Sequence, residues 1–129
     1  MPDHPIRSAR VGDLLPPSVV ARTSTRVLDA TAFLVPGAAQ TDEYVASLRE
    51  RTADFHDWDG RFVAAEPDGR PMHRLAIIDR YGQVYSVTDA DATGELPDAA
   101  TLTDWFRFLA TACPECGVID DPIGRGWTP

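Results

Sequence analysis

The sequence has 129 residues, 43% of them hydrophobic and 25% charged, which suits one compact globular domain and excludes disordered, collagen-like and membrane-spanning chains. The formal net charge of −8 leaves no cationic surface for nucleic-acid phosphates or for an anionic membrane, so neither partner is expected. All 12 basic residues are arginine, which excludes lysine Schiff bases and Walker-type phosphate loops.

The chain begins with a polar, proline-rich lead-in, residues 1–17, that is predicted to be irregular. It has no apolar segment typical of a signal peptide, and no stretch of the chain reaches the roughly 18 apolar residues of a membrane span. A cytoplasmic location is therefore expected. Residues 18–117 are predicted to form one domain and residues 118–129 a C-terminal tail.

Two strands are predicted next. Residues 18–21 are consistent with a short edge strand, and residues 27–35 form a nearly continuous apolar run that stops at Pro36-Gly37. A short apolar run between breakers is typical of a strand that is buried on both faces, as in a parallel or mixed sheet.

A helix is predicted over residues 41–55. Thr41 is a suitable N-cap, and Asp42 and Glu43 in the first turn favour the positive end of the helix dipole. The apolar side chains fall on one stripe, which comprises Tyr44, Val45, Leu48 and Phe55. A further strand at residues 61–65 completes a strand–helix–strand unit, which implies a right-handed crossover and parallel pairing.

The clearest local signal is a β-hairpin, in which residues 75–79 and 83–87 flank a short turn. Gly82 supplies the positive φ that such a turn needs. The last predicted element is a helix capped by Thr101, with Asp104 at the third position and an end at Pro114 and Gly117. Its apolar face comprises Leu102, Trp105, Phe106, Leu109 and Cys113.

This order of elements resembles the thioredoxin-like fold, and three segments resemble its redoxin branch, the peroxiredoxin and alkyl hydroperoxide reductase-like proteins. The segments are the Val-Gly-Asp entry at residues 11–16, the hairpin at residues 75–84, and the closing helix that leads to Cys113-Pro114-Glu115-Cys116. The resemblance implies an α/β fold with a central mixed sheet of four to five strands flanked by helices.

The resemblance also implies a reactive cysteine near the start of the helix that follows the first central strand, where the helix dipole lowers a thiol pKa. This sequence has Pro36, then Thr41, and Tyr44 at the place of the cysteine. The usual peroxidase mechanism is therefore not expected. The groove that binds substrate in redoxins is expected to be lined here by Thr41, Tyr44 and Pro71. Pro71 is included because thioredoxin-like folds hold a cis-proline beside the active site. The alternative is that Thr41 is an N-cap and Tyr44 a core aromatic.

Cysteine chemistry is confined to Cys113 and Cys116. A Cys-x-x-Cys pair can form a reversible disulfide, although the helix C-terminus and Glu115 both raise a thiol pKa. Buried structural thiols are an alternative, and zinc is another, for which the pair supplies two of four ligands.

Two acidic segments are candidate metal sites. Asp89, Asp91 and Thr93 match the first half of a calcium loop, but position 12 is Ala100 instead of glutamate. An acidic solvated loop is the alternative. A second group of carboxylates, at residues 54–59, surrounds His56, and a polar connection explains it equally well.

The sequence therefore predicts a degenerate redoxin that lacks the peroxidatic cysteine and needs no cofactor. It would bind a protein partner or form a homo-oligomer, with Trp127 of the tail as a docking anchor. The enzymatic alternative is a thiol–disulfide oxidoreductase that uses Cys113 and Cys116. A further alternative is an accessory protein that binds metal through the same pair.

Overall fold

The structure is a computed structural model that describes residues 4–16 and 29–111. Its centre is a four-stranded sheet of β1 (Ala30–Val35), β2 (Gly60–Ala64), β3 (His73–Ile78) and β4 (Val84–Ala90). The strands lie in the order β2-β1-β3-β4. β1 pairs in parallel with β2 and antiparallel with β3, and β3 pairs antiparallel with β4. The predicted α/β class with a mixed central sheet is confirmed, and so is the parallel pairing.

β1 is one of the two interior strands, and all six of its residues are buried. Its continuous apolar run is what the sequence predicts for a strand with neighbours on both faces and both edges. Thr31 is the polar exception. Its hydroxyl accepts a hydrogen bond from Nε of Arg61 on β2 at 3.0 Å, which offsets the cost of burying that oxygen.

The segment predicted as one helix forms two, α1 (Asp42–Arg49) and α2 (Thr52–His56). At the break, the N–H of Arg51 donates to the carbonyl of Leu48 at 3.0 Å, a tighter turn than the α-helical one. The hydroxyl of Thr52 donates to the carbonyl of Arg49 at 2.7 Å. The prediction of a single helix over residues 41–55 is therefore wrong.

The predicted hairpin is confirmed as β3 and β4. In its turn, the Asp79 carboxylate accepts hydrogen bonds from the backbone N–H groups of Tyr81 and Gln83, both at 2.9 Å. Gly82 has a φ of +94°, in the left-handed region that favours glycine. The turn is thus specified by its own residues.

The last described helix, α3 (Ala99–Thr111), begins two residues before the predicted cap. The carboxylate of Asp98 accepts a hydrogen bond from the backbone N–H of Thr101 at 2.9 Å, so Asp98 is the N-cap. The prediction that Thr101 caps the helix is wrong because an earlier start adds helical residues and places a charged cap at the helix dipole. The backbone bond from Thr101 also lowers the pKa of Asp98.

The three helices within the described residues pack on one face of the sheet. Phe55 of α2 and Phe106 of α3 meet edge to face there, with ring centroids 5.2 Å apart. The buried core on this side consists of Ala30, Ala32, Leu34, Tyr44, Leu48, Phe55, Leu75, Ile77, Ala90, Leu96, Leu102 and Phe106.

The lead-in covers the opposite face. Residues Pro5–Ser8 form a 3₁₀ turn, and the side chain of Ile6 is fully buried against the sheet. Its neighbours in this second core are Ala9, Phe33, Val35, Ala76, Ile78 and Val84. Residues 4–16 are thus more regular than the sequence predicts, because one isolated isoleucine gives little signal of burial.

Several predictions concern residues outside the described parts of the chain. These are the strand at residues 18–21, the helix end at Pro114 and Gly117, and the tail at residues 118–129.

Candidate functional site

A cleft of about 770 Å³ opens where the parallel strands β1 and β2 end, beside α1. In open α/β sheets, ligands bind outside the carboxyl ends of the strands. The cleft is lined by Pro36, Thr41, Asp42, Val45, Ala46, Arg49, Glu50, Ala64, Ala65, Glu66 and Pro67. Small apolar side chains therefore meet a mostly acidic rim.

Thr41 is the one groove candidate from the sequence that lines this cleft. It stands at the N-cap of α1, but its side chain makes no capping hydrogen bond. The first turn is closed instead by main-chain bonding, in which the N–H of Val45 donates to the Thr41 carbonyl at 2.9 Å. The threonine hydroxyl is therefore not used by the helix.

Tyr44 lies in the core between α1 and the start of α3. It is 9% exposed, and its hydroxyl donates to the carbonyl of Pro97 at 2.7 Å. Burial and the nearby charge of Asp98 raise the pKa of the Tyr44 phenol, which keeps the phenol protonated at neutral pH. Tyr44 is thus a hydrogen-bonded core residue, as the alternative interpretation of the sequence has it.

Pro71 is exposed and lies beside the loop that follows β1. No cis peptide bond occurs in the described residues, so Pro71 does not carry the cis bond that the resemblance suggests. Its neighbours pack closely against Gly37. A Cβ placed on Gly37 would lie 2.6 Å from the carbonyl oxygen of Met72 and 2.9 Å from that of Arg70.

His73 is the first residue of β3 and is fully buried. Its Nδ1 accepts a hydrogen bond from the backbone N–H of Gly37 at 2.7 Å. Its Nε2 is also buried and has no hydrogen-bond partner in the described structure. Burial lowers the pKa of His73, and the charge of Arg7 lowers it further, while Asp91 acts in the opposite direction.

An ion pair connects the lead-in to the loop between β2 and β3. Nε and Nη2 of Arg7 each donate to one carboxylate oxygen of Asp68 at 2.8 Å, and both side chains are largely buried. The hydrogen bond from Arg7 lowers the pKa of Asp68 to about 2. Arg7 Nη2 also lies 3.4 Å from the Pro36 carbonyl, at the wall of the cleft.

The first predicted calcium ligand is engaged elsewhere. Both carboxylate oxygens of Asp89 accept hydrogen bonds from Arg74 at 2.7 Å, and the residue belongs to β4. Asp91 follows the strand, and Thr93 begins a second 3₁₀ turn, Thr93–Glu95. The strand and the ion pair thus replace the start of the loop that calcium would need.

The second acidic segment gives a similar result. Asp54 pairs with Arg51 at 3.1 Å on the surface, and Asp59 adopts a positive φ of 54° at the turn before β2. Within residues 4–16 and 29–111, no group of three or more histidine, cysteine or acidic side chains is arranged to hold a metal.

The remaining site predictions lie beyond the described residues. They concern the pair Cys113 and Cys116, for redox chemistry or zinc, and Trp127 as a docking anchor. None of the described helices is both long and apolar enough to span a bilayer. Comparison with protein-family models gives no match, and comparison with curated proteins gives none.

The sequence interpretation missed the long-range polar contacts of four residues, namely Arg7, Asp68, His73 and Arg74. Each meets a partner that is remote in the sequence, 36 residues away for the bond between Gly37 and His73 and 61 for that between Arg7 and Asp68. The one available sign in the sequence is His73, which directly precedes the apolar run of β3. A histidine buried beside such a run needs a hydrogen-bond partner.

Proposed function

We propose that this chain is a degenerate redoxin-like protein of thioredoxin-like fold, without peroxidase activity, that acts as a protein-binding or accessory subunit. The observation that carries the proposal is the position of Tyr44. It stands where the redoxin resemblance has the peroxidatic cysteine, and its hydroxyl is bound to the carbonyl of Pro97 inside the core.

The order of the described elements supports the fold. From β1 onward the chain runs through a helical connection, a parallel strand, an antiparallel hairpin and a closing helix. This is the order that the resemblance to redoxins implies. The cleft lies next to the end of β1 and the start of α1, the place where the family carries its reactive group.

The chemistry of the cleft supports binding rather than catalysis. Its lining contains no cysteine and no histidine, and its one hydroxyl belongs to Thr41. Small side chains at Ala46, Ala64 and Ala65 leave room for a segment of another chain. The same cleft could receive a partner protein or a second copy of this one.

Peroxide consumption and disulfide reduction test the absence of catalysis. We expect no peroxide turnover by the reduced protein, because the cleft holds no thiolate. Turnover of peroxide would contradict the proposal. Turnover of a protein disulfide that disappears in Cys113→Ser would favour the alternative, a thiol–disulfide oxidoreductase acting through Cys113 and Cys116. Stoichiometric zinc in protein purified without chelator would favour the metal-binding alternative.

Site-specific photocross-linking tests the binding surface. A photoreactive phenylalanine analogue at Ala46, an exposed cleft residue, should form adducts with a partner or with a second copy. The matched control places the analogue at Arg80, in the exposed hairpin turn at the other end of the sheet. Adducts from Ala46 alone support the cleft as the docking site, and equal adducts or none from both positions would refute it.

A further inference from the structure

The loop between β1 and α1, residues 36–41, lines the cleft with its two ends, Pro36 and Thr41, and is tied to β3 by the side chain of His73. The tie is the hydrogen bond of 2.7 Å from the Gly37 N–H to Nδ1 of His73. Both groups are buried, so water does not compete for this bond.

The bond requires an uncharged imidazole. Since Nδ1 accepts a hydrogen bond, the ring proton of the neutral form is on Nε2. A second proton would have to bind at Nδ1 and would then face the Gly37 N–H, so two donors would meet where a donor and an acceptor now do. The unpartnered Nε2–H gives the charged ring no compensating bond.

The surroundings leave little room to absorb the change. Gly37 already packs against the backbone of Arg70 and Met72, at distances that would exclude even a Cβ. An N–H···H–N contact therefore cannot be relieved by moving the loop closer to that backbone. It is relieved when the loop moves away from β3.

The charges that face His73 come from three elements. Arg7 of the first 3₁₀ turn opposes protonation, although its charge is paired with Asp68 of the β2–β3 loop. Asp91, which follows β4, favours protonation. Burial is the largest influence, and it favours the neutral ring.

We propose that His73 is a pH-sensitive latch: its neutral ring holds the loop at residues 36–41 against β3, and its protonation releases that wall of the cleft. The latch does not depend on what the cleft binds, since it acts on the backbone of Gly37.

The sign of the pH dependence follows from the lowered pKa of His73. The unfolded chain, with an ordinary histidine pKa of 6.5, binds a proton before the folded chain does. The contribution of the latch to stability is therefore complete above that pH, and it falls by up to about tenfold in the folding equilibrium constant per pH unit as the pH drops. It levels off below the folded-state pKa.

Hydrogen exchange followed by NMR measures the latch directly. The protection factor of the Gly37 amide should fall as the pH is lowered from about 7.5 to about 4.5, in step with the titration of the His73 ring. In His73→Asn, whose amide oxygen replaces Nδ1 as acceptor but does not titrate, this dependence should disappear. The matched control is His56→Asn, at an exposed position at the end of α2, which should respond as the wild type does.

Two results would overturn the latch. One is a Gly37 protection factor that stays constant across the midpoint of the His73 titration in the wild-type protein, a measurement that needs no variant to fold. The other is a pH response of the Gly37 amide in His73→Asn equal to that of the wild type. Neither result bears on whether the cleft binds a partner, which the cross-linking experiment tests separately.

Discussion

Arg74 fastens residues 6–9 of the lead-in to the sheet, whereas residues 12–15 are bonded to the hairpin through the backbone, and replacement of Arg74 by methionine isolates its role. Its Nη1 donates to the carbonyl oxygens of Ile6, Arg7 and Ala9, at 3.0, 2.6 and 3.1 Å. Its Nε and Nη2 bind both carboxylate oxygens of Asp89. Methionine keeps much of the apolar stem of arginine and removes all of these donors.

The magnitude can be bounded from the geometry. A hydrogen bond from a charged donor contributes about 1.5–3 kcal/mol to the free energy of unfolding, but three carbonyls share one nitrogen here, so the contributions do not add in full. Asp89 is 39% exposed, which lets water replace the guanidinium at little cost. Partial loss of the burial of Ile6 adds up to about 2 kcal/mol. We therefore expect Arg74→Met to lower the free energy of unfolding by about 2–4 kcal/mol.

Urea unfolding measures the loss, and hydrogen exchange of the amides at residues 6–9 locates it. The control is Arg107→Met, which removes an exposed pair with Asp104 on α3 and should cost less than about 0.5 kcal/mol. If Arg74→Met costs no more than the control, or if the lead-in amides keep their protection, the clamp does not hold the lead-in.

Two further substitutions test contacts near the cleft. Gly37→Ala should lower the midpoint of thermal unfolding, because its Cβ would lie 2.6 Å from the Met72 carbonyl oxygen. Gly37 does not have a positive φ, so the close contact alone should cause the loss. An unchanged midpoint would contradict this packing. Asp68→Asn should make the free energy of unfolding depend less on pH in the acid range. Since the pKa of Asp68 is lowered to about 2, its contribution is present above pH 3.8 and is lost as the pH falls toward 2, which urea titrations at several pH values would detect.

The parts of the fold that the sequence predicts well are those encoded by neighbouring residues. The hairpin follows from Asp79 and Gly82, which build the turn from within five positions. β1 follows from its apolar run and the breakers after it. Parallel pairing with β2 then follows from the handedness of the crossover, a rule that needs only the order of the elements.

The errors arise where two local interactions of similar strength compete. At residues 50–52 the chain can continue one helix or begin a second, and it begins a second. Asp98 and Thr101 are both good caps, and the helix begins at the earlier one, whose carboxylate binds the N–H of Thr101. Periodicity and propensity do not resolve such alternatives, because the difference in free energy is about 1 kcal/mol or less.

Neither periodicity nor propensity can predict the polar contacts beside the cleft, because their partners are far apart in the sequence. These contacts give the lead-in a part in shaping the cleft. Arg7 reaches the carbonyl of Pro36 at 3.4 Å, while His73 binds the N–H of the next residue, Gly37. The start of the loop beside the cleft is therefore held by the lead-in on one side and by β3 on the other. A weakened lead-in, as in Arg74→Met, should free Arg7 and so loosen the same wall that protonation of His73 releases. The segment that the sequence sets outside the domain thus contributes to the shape of its candidate binding surface.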